Sequence, residues 1–166
     1  MDGSAMSRTI PSTLLLTVTI ALAVTIAIVG CFDPQDQRPG LLLRGETVEA
    51  PPSDWAFTNE HREIAVEVRT PYLLPHSVTI WCAELDGALY IGAREPDTKR
   101  WPGWADRNPD VRLKIGSQMF EVRLVPLDDA ERIASVRVAY AAKYDLPTTA
   151  AGSGPEIRYW RVESRS

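Results

Sequence analysis

Hydrophobic and polar positions divide the chain into three unlike stretches. From Thr9 to Phe32 there is no charged residue, and Thr13–Gly30 reads TLLLTVTIALAVTIAIVG with no polar face. From 33 to 59 no period survives, because Pro34, Pro39, Pro51 and Pro52 interrupt it. From Glu63 onward alternation takes over. Ile64, Val66 and Val68 fall on one face of a strand and Glu63, Glu67 and Arg69 on the other. His76–Ala83 is a β-branched run, Asp86-Gly87 a two-residue hairpin signal, and Ala88–Ala93 the partner strand. A second hairpin pairs Val111–Ile115 with Gln118–Val125 across Gly116-Ser117. It sends Val111, Leu113 and Ile115 inward against Phe120, Val122 and Leu124. The period then changes to helical, with Ile133, Val136, Tyr140 and Tyr144 on one stripe. Asp128 and Glu131 form a capping-box-like start and Pro147 a stop. Ile157–Val162 is a last strand.

Six strands and one late helix, without strand–helix alternation, predict a mainly β, α+β domain: an antiparallel barrel or closed sheet with a packed helix. The organisation is then a hydrophobic anchor over 1–32, a linker over 33–59 and a barrel domain over 60–166. Trp55 and Phe57 are unusual for a free linker. They either pin it onto the domain's core or form an exposed docking patch.

Eighteen uncharged residues in a helix reach about 27 Å, enough for a hydrocarbon core. Cleavable signal segments are typically shorter, which favours a retained transmembrane or signal-anchor helix. Ile28-Val29-Gly30-Cys31 also resembles a bacterial lipobox, with Cys31 as the lipidated residue. Both readings tether the domain to a membrane. The lipobox points to an exported, envelope-facing domain; Arg8 before the segment against Arg38 and Arg44 after it leaves a cytoplasmic orientation open.

Charge and composition narrow the chemistry. A net charge of −4 and a pI near 5.2 carry no basic footprint for nucleic acid. Two histidines and two cysteines make a Cys/His metal site a poor expectation, and Cys82 in a strand reads as a small core residue. Glu63, Glu67, Asp128, Asp129 and Glu131 read as surface charge and capping. Adjacent Lys99 and Arg100, with Arg94 nearby, either bind a phosphate or form a solvated loop balanced by Glu95 and Asp97. Trp101 and Trp104 flank Pro102-Gly103 and either stack on a ligand ring or plug the barrel end. Asn108 before Pro109 reads as a turn. His76 and Ser77 are strand neighbours on opposite faces, which excludes a nucleophile pair; Ser77 and Thr79 share a face.

The stretches HSVTIWCAELDGALYIGA (76–93), KRWPGWADRNPDVRLKIG (99–116) and AYAAKY (139–144) resemble the split barrels of the pyridoxamine-phosphate-oxidase-like family, in particular its deazaflavin-dependent nitroreductase-type branch. The resemblance covers about half the chain. It implies a six-stranded split β-barrel that binds FMN or a deazaflavin, across a homodimer interface, as an oxidoreductase. The first strand pair, with His76, Ser77 and Thr79, would line the ring. Arg94, Lys99, Arg100, Trp101, Trp104 and Asn108 would approach the phosphate side. Where that branch carries a Gly/Arg/Lys-rich phosphate strand, this sequence has Arg69-Thr70-Pro71-Tyr72. The other expectation is a non-catalytic binding or structural envelope module with no cofactor.

Overall fold

The computed structural model describes residues 40–147 and 155–165. The apolar segment 13–30 and Cys31 lie outside the described residues, and among those described no helix is long and apolar enough to cross a membrane. Among the described residues, eight strands and two α-helices follow one another as β1 (Glu46–Val48), β2 (Ile64–Arg69), β3 (Pro75–Ile80), β4 (Cys82–Leu85), β5 (Ala88–Arg94), α1 (Trp101–Arg107), β6 (Asp110–Ile115), β7 (Gln118–Pro126), α2 (Ala130–Tyr144) and β8 (Ile157–Ser164).

The strands form one sheet in the order β3-β2-β6-β7-β8-β5-β4, with β1 joined to β7. Every pairing is antiparallel except the short parallel match of Glu46–Val48 to Gln118–Phe120. The two ends of this order, β3 and β4, are consecutive in the chain and separated by Trp81 alone. The sheet must therefore curl until its edges nearly meet, which makes it a split barrel rather than a closed one. Its inside holds the alternating set read from the sequence, Ile64, Val66, Val68, Val111, Leu113, Ile115, Phe120, Val122 and Leu124, with Cys82 as the small core residue expected, and adds Ile80, Leu89, Ile91 and Trp160. The register Leu113 to Phe120 and Val111 to Val122 is the predicted one.

Three expectations about elements need correction. The run 76–83 is two strands, because Trp81 turns outward to stack flat on Tyr144 of α2, 4.3 Å away and within 9° of parallel. The count rises from six to eight with that split and with β1. A second helix, α1, occupies 101–107, where Pro102 falls in the first turn and is tolerated there. The α2 cap is Asp129 rather than Asp128: its carboxylate accepts from the Glu131 N–H at 3.0 Å, and Ala130 is the first helical residue.

Two covers lie on the outside of the barrel. α2 sets Val136, Tyr140 and Tyr144 against Ala83, Tyr90 and Tyr159. On the opposite wall, residues 40–48 run as a strap from the free edge of β3 to β7. Gly40 pairs with Ser77, Leu43 packs with Ala65 and Met119, and Glu46 donates to the Ser117 carbonyl. Gly45 is obligatory in this strap, since a Cβ there would sit 2.6 Å from the Ser117 oxygen. Glu67, expected on the surface, is buried beneath it and forms a bidentate pair with Arg112, its Oε2 also accepting the Leu43 N–H. Trp55 and Phe57 join the same core around Phe120, so they pin the chain and are not a docking patch.

The α2 tyrosines hold the bend at Trp81. The Tyr144 hydroxyl accepts from the Cys82 N–H at 3.0 Å and lies 2.7 Å from the Arg62 carbonyl, to which it donates. Tyr140 donates to the Trp81 carbonyl at 3.0 Å. Burial pushes both phenols above the ordinary tyrosine range, as it does Tyr159. A phenol whose pKa is raised by folding contributes stability that is complete below pH 10 and is lost as pH rises beyond it. Tyr144→Phe is therefore expected to cost about 1–2 kcal/mol at neutral pH, by orphaning the Cys82 N–H, and to blunt the alkaline loss of stability. Denaturant midpoints from pH 7 to 11 measure both; an unchanged midpoint at pH 7 would mean the hydroxyl carries no net load.

Candidate functional site

One end of the barrel collects polar and aromatic side chains with no structural partner to explain all of them. α1 lies across this end and packs against β2 and β7. Its first residue, Trp101, is buried and faces Trp160 across 5.3 Å, and Ala105 fills the core behind it. Trp101 is thus a plug. Trp104, one turn on, is half-exposed. The His76 ring stands edge-on to it at 5.1 Å and the Tyr72 ring edge-on at 6.1 Å. His76 reaches Trp104 because it pairs with Val68 and so shares the inward face of the wall with Val78 and Ile80. Partial burial lowers the His76 pKa, which favours the neutral imidazole at pH 7. Arg100 lies four residues before Trp104, so the two share a face of α1, and the Trp104 N–H donates to the Arg100 carbonyl. The Arg100 guanidinium is exposed and has no ion pair among the described residues.

The other nominated residues are placed elsewhere. Ser77 and Thr79 point to the outer face with Glu67 and Ala65. Ser77 is fully buried there, with its edge bridged to Gly40, and its hydroxyl finds no partner among the described residues. Lys99 folds back so that its ammonium donates to the Arg94 carbonyl, while the Arg94 side chain faces Glu95 at 3.8 Å, both well exposed. Lys99 and Arg94 are thus each engaged locally, while Arg100 is not. Asn108, expected in a turn, is the extended residue that closes α1, through its backbone N–H to the Trp104 carbonyl. Tyr72 was not legible as a site residue: it lies in the Pro71–Pro75 break, and only the pairing of β2 with β3 brings it over α1.

Two further clusters contribute less. A cleft of about 250 Å³ lies between Asp106, Pro109, Arg123, Pro126 and Trp160. Its charges are mostly spent: Asp106 accepts from Arg158 at 2.7 Å and from the Trp160 indole at 3.3 Å, and Arg123 pairs with Asp110. Cys82 is fully buried beside Lys143, 3.4 Å from its ammonium, and burial raises the thiol pKa despite that cation. It remains a thiol, not a nucleophile. Among the described residues no three His, Cys, Asp or Glu side chains form a metal cluster.

Solved structures with the same fold fit this architecture. A conserved hypothetical protein of Mycobacterium tuberculosis, Rv2991, is 19% identical, with a TM-score of 0.55 over 66% of this chain and 77% of its own. A putative pyridoxamine 5'-phosphate oxidase of Listeria innocua is 12% identical, with a TM-score of 0.53 over 67% of this chain and 90% of its own. A putative 5-nitroimidazole antibiotic resistance protein of Bacteroides thetaiotaomicron is 12% identical, with a TM-score of 0.55 over 80% and 86%. At these identities the likeness shows the split-barrel fold alone. No curated protein matches the sequence. A family model described as "Uncharacterized protein conserved in bacteria (DUF2255)" matches residues 57–155, more than half of the chain, and the chain belongs to that family.

Proposed function

We propose that this protein is a membrane-tethered split-barrel domain that binds FMN or a deazaflavin and acts as an oxidoreductase, with the domain on the envelope side of the membrane. The observation that carries the reading is the convergence of the Trp104, His76 and Tyr72 rings at one barrel end, with the exposed Arg100 at the start of the same helix. A flavin needs an aromatic face to stack on and a cation for its phosphate. These four residues offer both, from two strands' connection and one rigid helix face. Trp104 and Tyr72 would hold the ring, a neutral His76 would present a hydrogen-bonding edge to it, and Arg100 would take the phosphate in bidentate fashion. The cofactor itself supplies the hydride chemistry. Two relatives in fold support the class: one is named a putative pyridoxamine 5'-phosphate oxidase and the other a putative 5-nitroimidazole resistance protein. The uncharged stretch 13–30 supports the tether.

Ser77 and Thr79 fit a cofactor less well, because the strap covers the face they occupy. That cover favours the second reading, a binding or structural module whose barrel wall is closed to cofactors. Absorbance of the purified full chain, followed by titration with FMN and a deazaflavin, separates the two. Binding is expected to weaken at least tenfold, about 1.4 kcal/mol, in Arg100→Ala, and much less in Lys99→Ala, whose ammonium is already engaged. A well-folded protein that binds neither flavin leaves the second reading.

A further inference from the structure

Among the described residues, five of the large apolar side chains that are more than half exposed lie in two neighbouring segments; Val138 on α2 is the sixth. Tyr72, Leu73 and Leu74 form the tip between β2 and β3, and Leu41 and Leu42 begin the strap, each more than half exposed. The antiparallel bridge of Gly40 to Ser77 carries Leu41 and Leu42 alongside His76 and Pro75, next to that tip. Monomeric proteins seldom expose such a contiguous patch without using it. Leu73 is the sharpest case. It stands 79% exposed with φ at +65°, a left-handed conformation that glycine or asparagine would adopt without strain.

The charge around the patch is one-sided. The protein is net acidic, yet 38–45 and 69–83 contain no Asp or Glu, and Arg44 and Arg69 flank the leucines. Exposed aliphatic side chains with exposed arginines beside them in the sequence match the interface of an anionic bilayer, where apolar groups enter the acyl boundary and cations meet headgroups. On the tethered reading, the length of the connecting chain limits how far this surface can be from the anchor. Nine peptide steps separate Cys31, at the end of the apolar segment, from Gly40, a contour of about 32 Å at most.

We infer that Leu73-Leu74 at the tip, together with Leu41-Leu42, is a membrane-docking surface that seats the barrel on an anionic lipid bilayer. The inference rests on the tethered reading above, and its test keeps the two apart. All five tryptophans lie in the barrel, so a Leu73→Trp variant of the full chain places a reporter at the tip. The variant is reconstituted in phosphatidylcholine vesicles with and without phosphatidylglycerol, some carrying brominated acyl chains, and circular dichroism checks its fold. Emission is expected to shift to shorter wavelength and to be quenched by the brominated lipid relative to the wild-type protein. The quenching should be stronger with phosphatidylglycerol and be lost when Leu41→Glu and Leu74→Glu are added. Solvent-like, unquenched emission at the tip would overturn docking. A blue shift without bromine quenching would also overturn it, in favour of a second protein copy on the patch. Carbonate washing of the same vesicles tests the tether separately: protein released by the wash ends the tether, while the quenching measured before the wash still decides the docking.

Discussion

Glu67→Ala is expected to lower stability by about 3 kcal/mol and to release the strap from the barrel wall. Glu67 is buried, and its carboxylate serves three donors at once. Arg112 Nε reaches Oε1 at 2.9 Å, Arg112 Nη2 reaches Oε2 at 2.7 Å, and the Leu43 N–H reaches Oε2 at 2.6 Å. Arg112 in turn donates to the Leu43 carbonyl at 3.2 Å, so the pair grips both polar groups of one strap residue. Removing one member of a buried pair costs about 3–5 kcal/mol, because the other charge is left uncompensated. Arg112 keeps some solvent, which places the effect at the lower end of that range. The pair raises the Arg112 pKa through its hydrogen bond to Glu67, so the guanidinium stays charged and is stranded when the carboxylate goes.

A double replacement, Glu67→Leu with Arg112→Met, separates the grip from the charge penalty. It removes both charges, so most of the stability should return, while Leu43 still loses its partners. Urea midpoints give the first quantity, and tryptic cleavage at Arg44 reports the second. If Glu67→Ala matches wild type in midpoint and in cleavage rate at Arg44, the strap is held by Leu43 and Met119 packing alone and the ion pair is incidental.

The sequence made most of the wall legible and little of what covers it. β2, β5, β6, β7 and β8 were readable because one face is apolar and a one-residue slip would put Val66 or Leu113 in water. α2 was readable because its stripe of Ile133, Val136, Tyr140 and Tyr144 meets a single surface. The break at Trp81 was not, since Ile80 and Cys82 both face inward and the alternation runs through it unbroken. What bends the strand is the stack on Tyr144, 63 residues away, which no local pattern contains. β1 is three residues long and owes its existence to the free edge of β7. α1 hides behind Pro102 and Gly103, two residues that lower any helical expectation, yet Pro102 sits in the first turn and a Cβ at Gly103 would meet nothing within 4 Å. Glu67 was read as surface because alternation shows which side of a strand faces the core and says nothing about a strap crossing the other side. The candidate site shows the same division. Strand alternation alone turns His76 away from Ser77 and Thr79, but the meeting of His76 and Tyr72 with Trp104 follows from the fold.

Trp160→Ala is expected to cost about 4 kcal/mol, the largest effect of any single substitution considered, and to loosen the site from behind. Trp160 is 1% exposed, and β8 carries it between β5 and β7, where it pairs with Ile91 and Pro126. Truncating a buried Trp typically costs about 3–5 kcal/mol through lost burial and the cavity left behind. The void would open directly under Trp101, whose ring packs on Trp160, and the indole bond to Asp106 near the end of α1 would go with it. Both contacts bear on α1, the helix that presents Arg100 and Trp104. Trp160→Phe keeps a ring in the core and leaves Asp106 bonded to Arg158, so it should cost less than half as much. Hydrogen exchange localises the damage. In Trp160→Ala, amides of 101–107 should exchange much faster relative to those of α2, because α2 packs on the separate Tyr90–Tyr140–Tyr159 cluster. Faster exchange spread evenly over both helices would mean that the barrel core is one cooperative block, with α1 no more dependent on Trp160 than α2. In that case Trp104 and Arg100 owe their placement to the whole sheet, and no single contact behind α1 tunes the site.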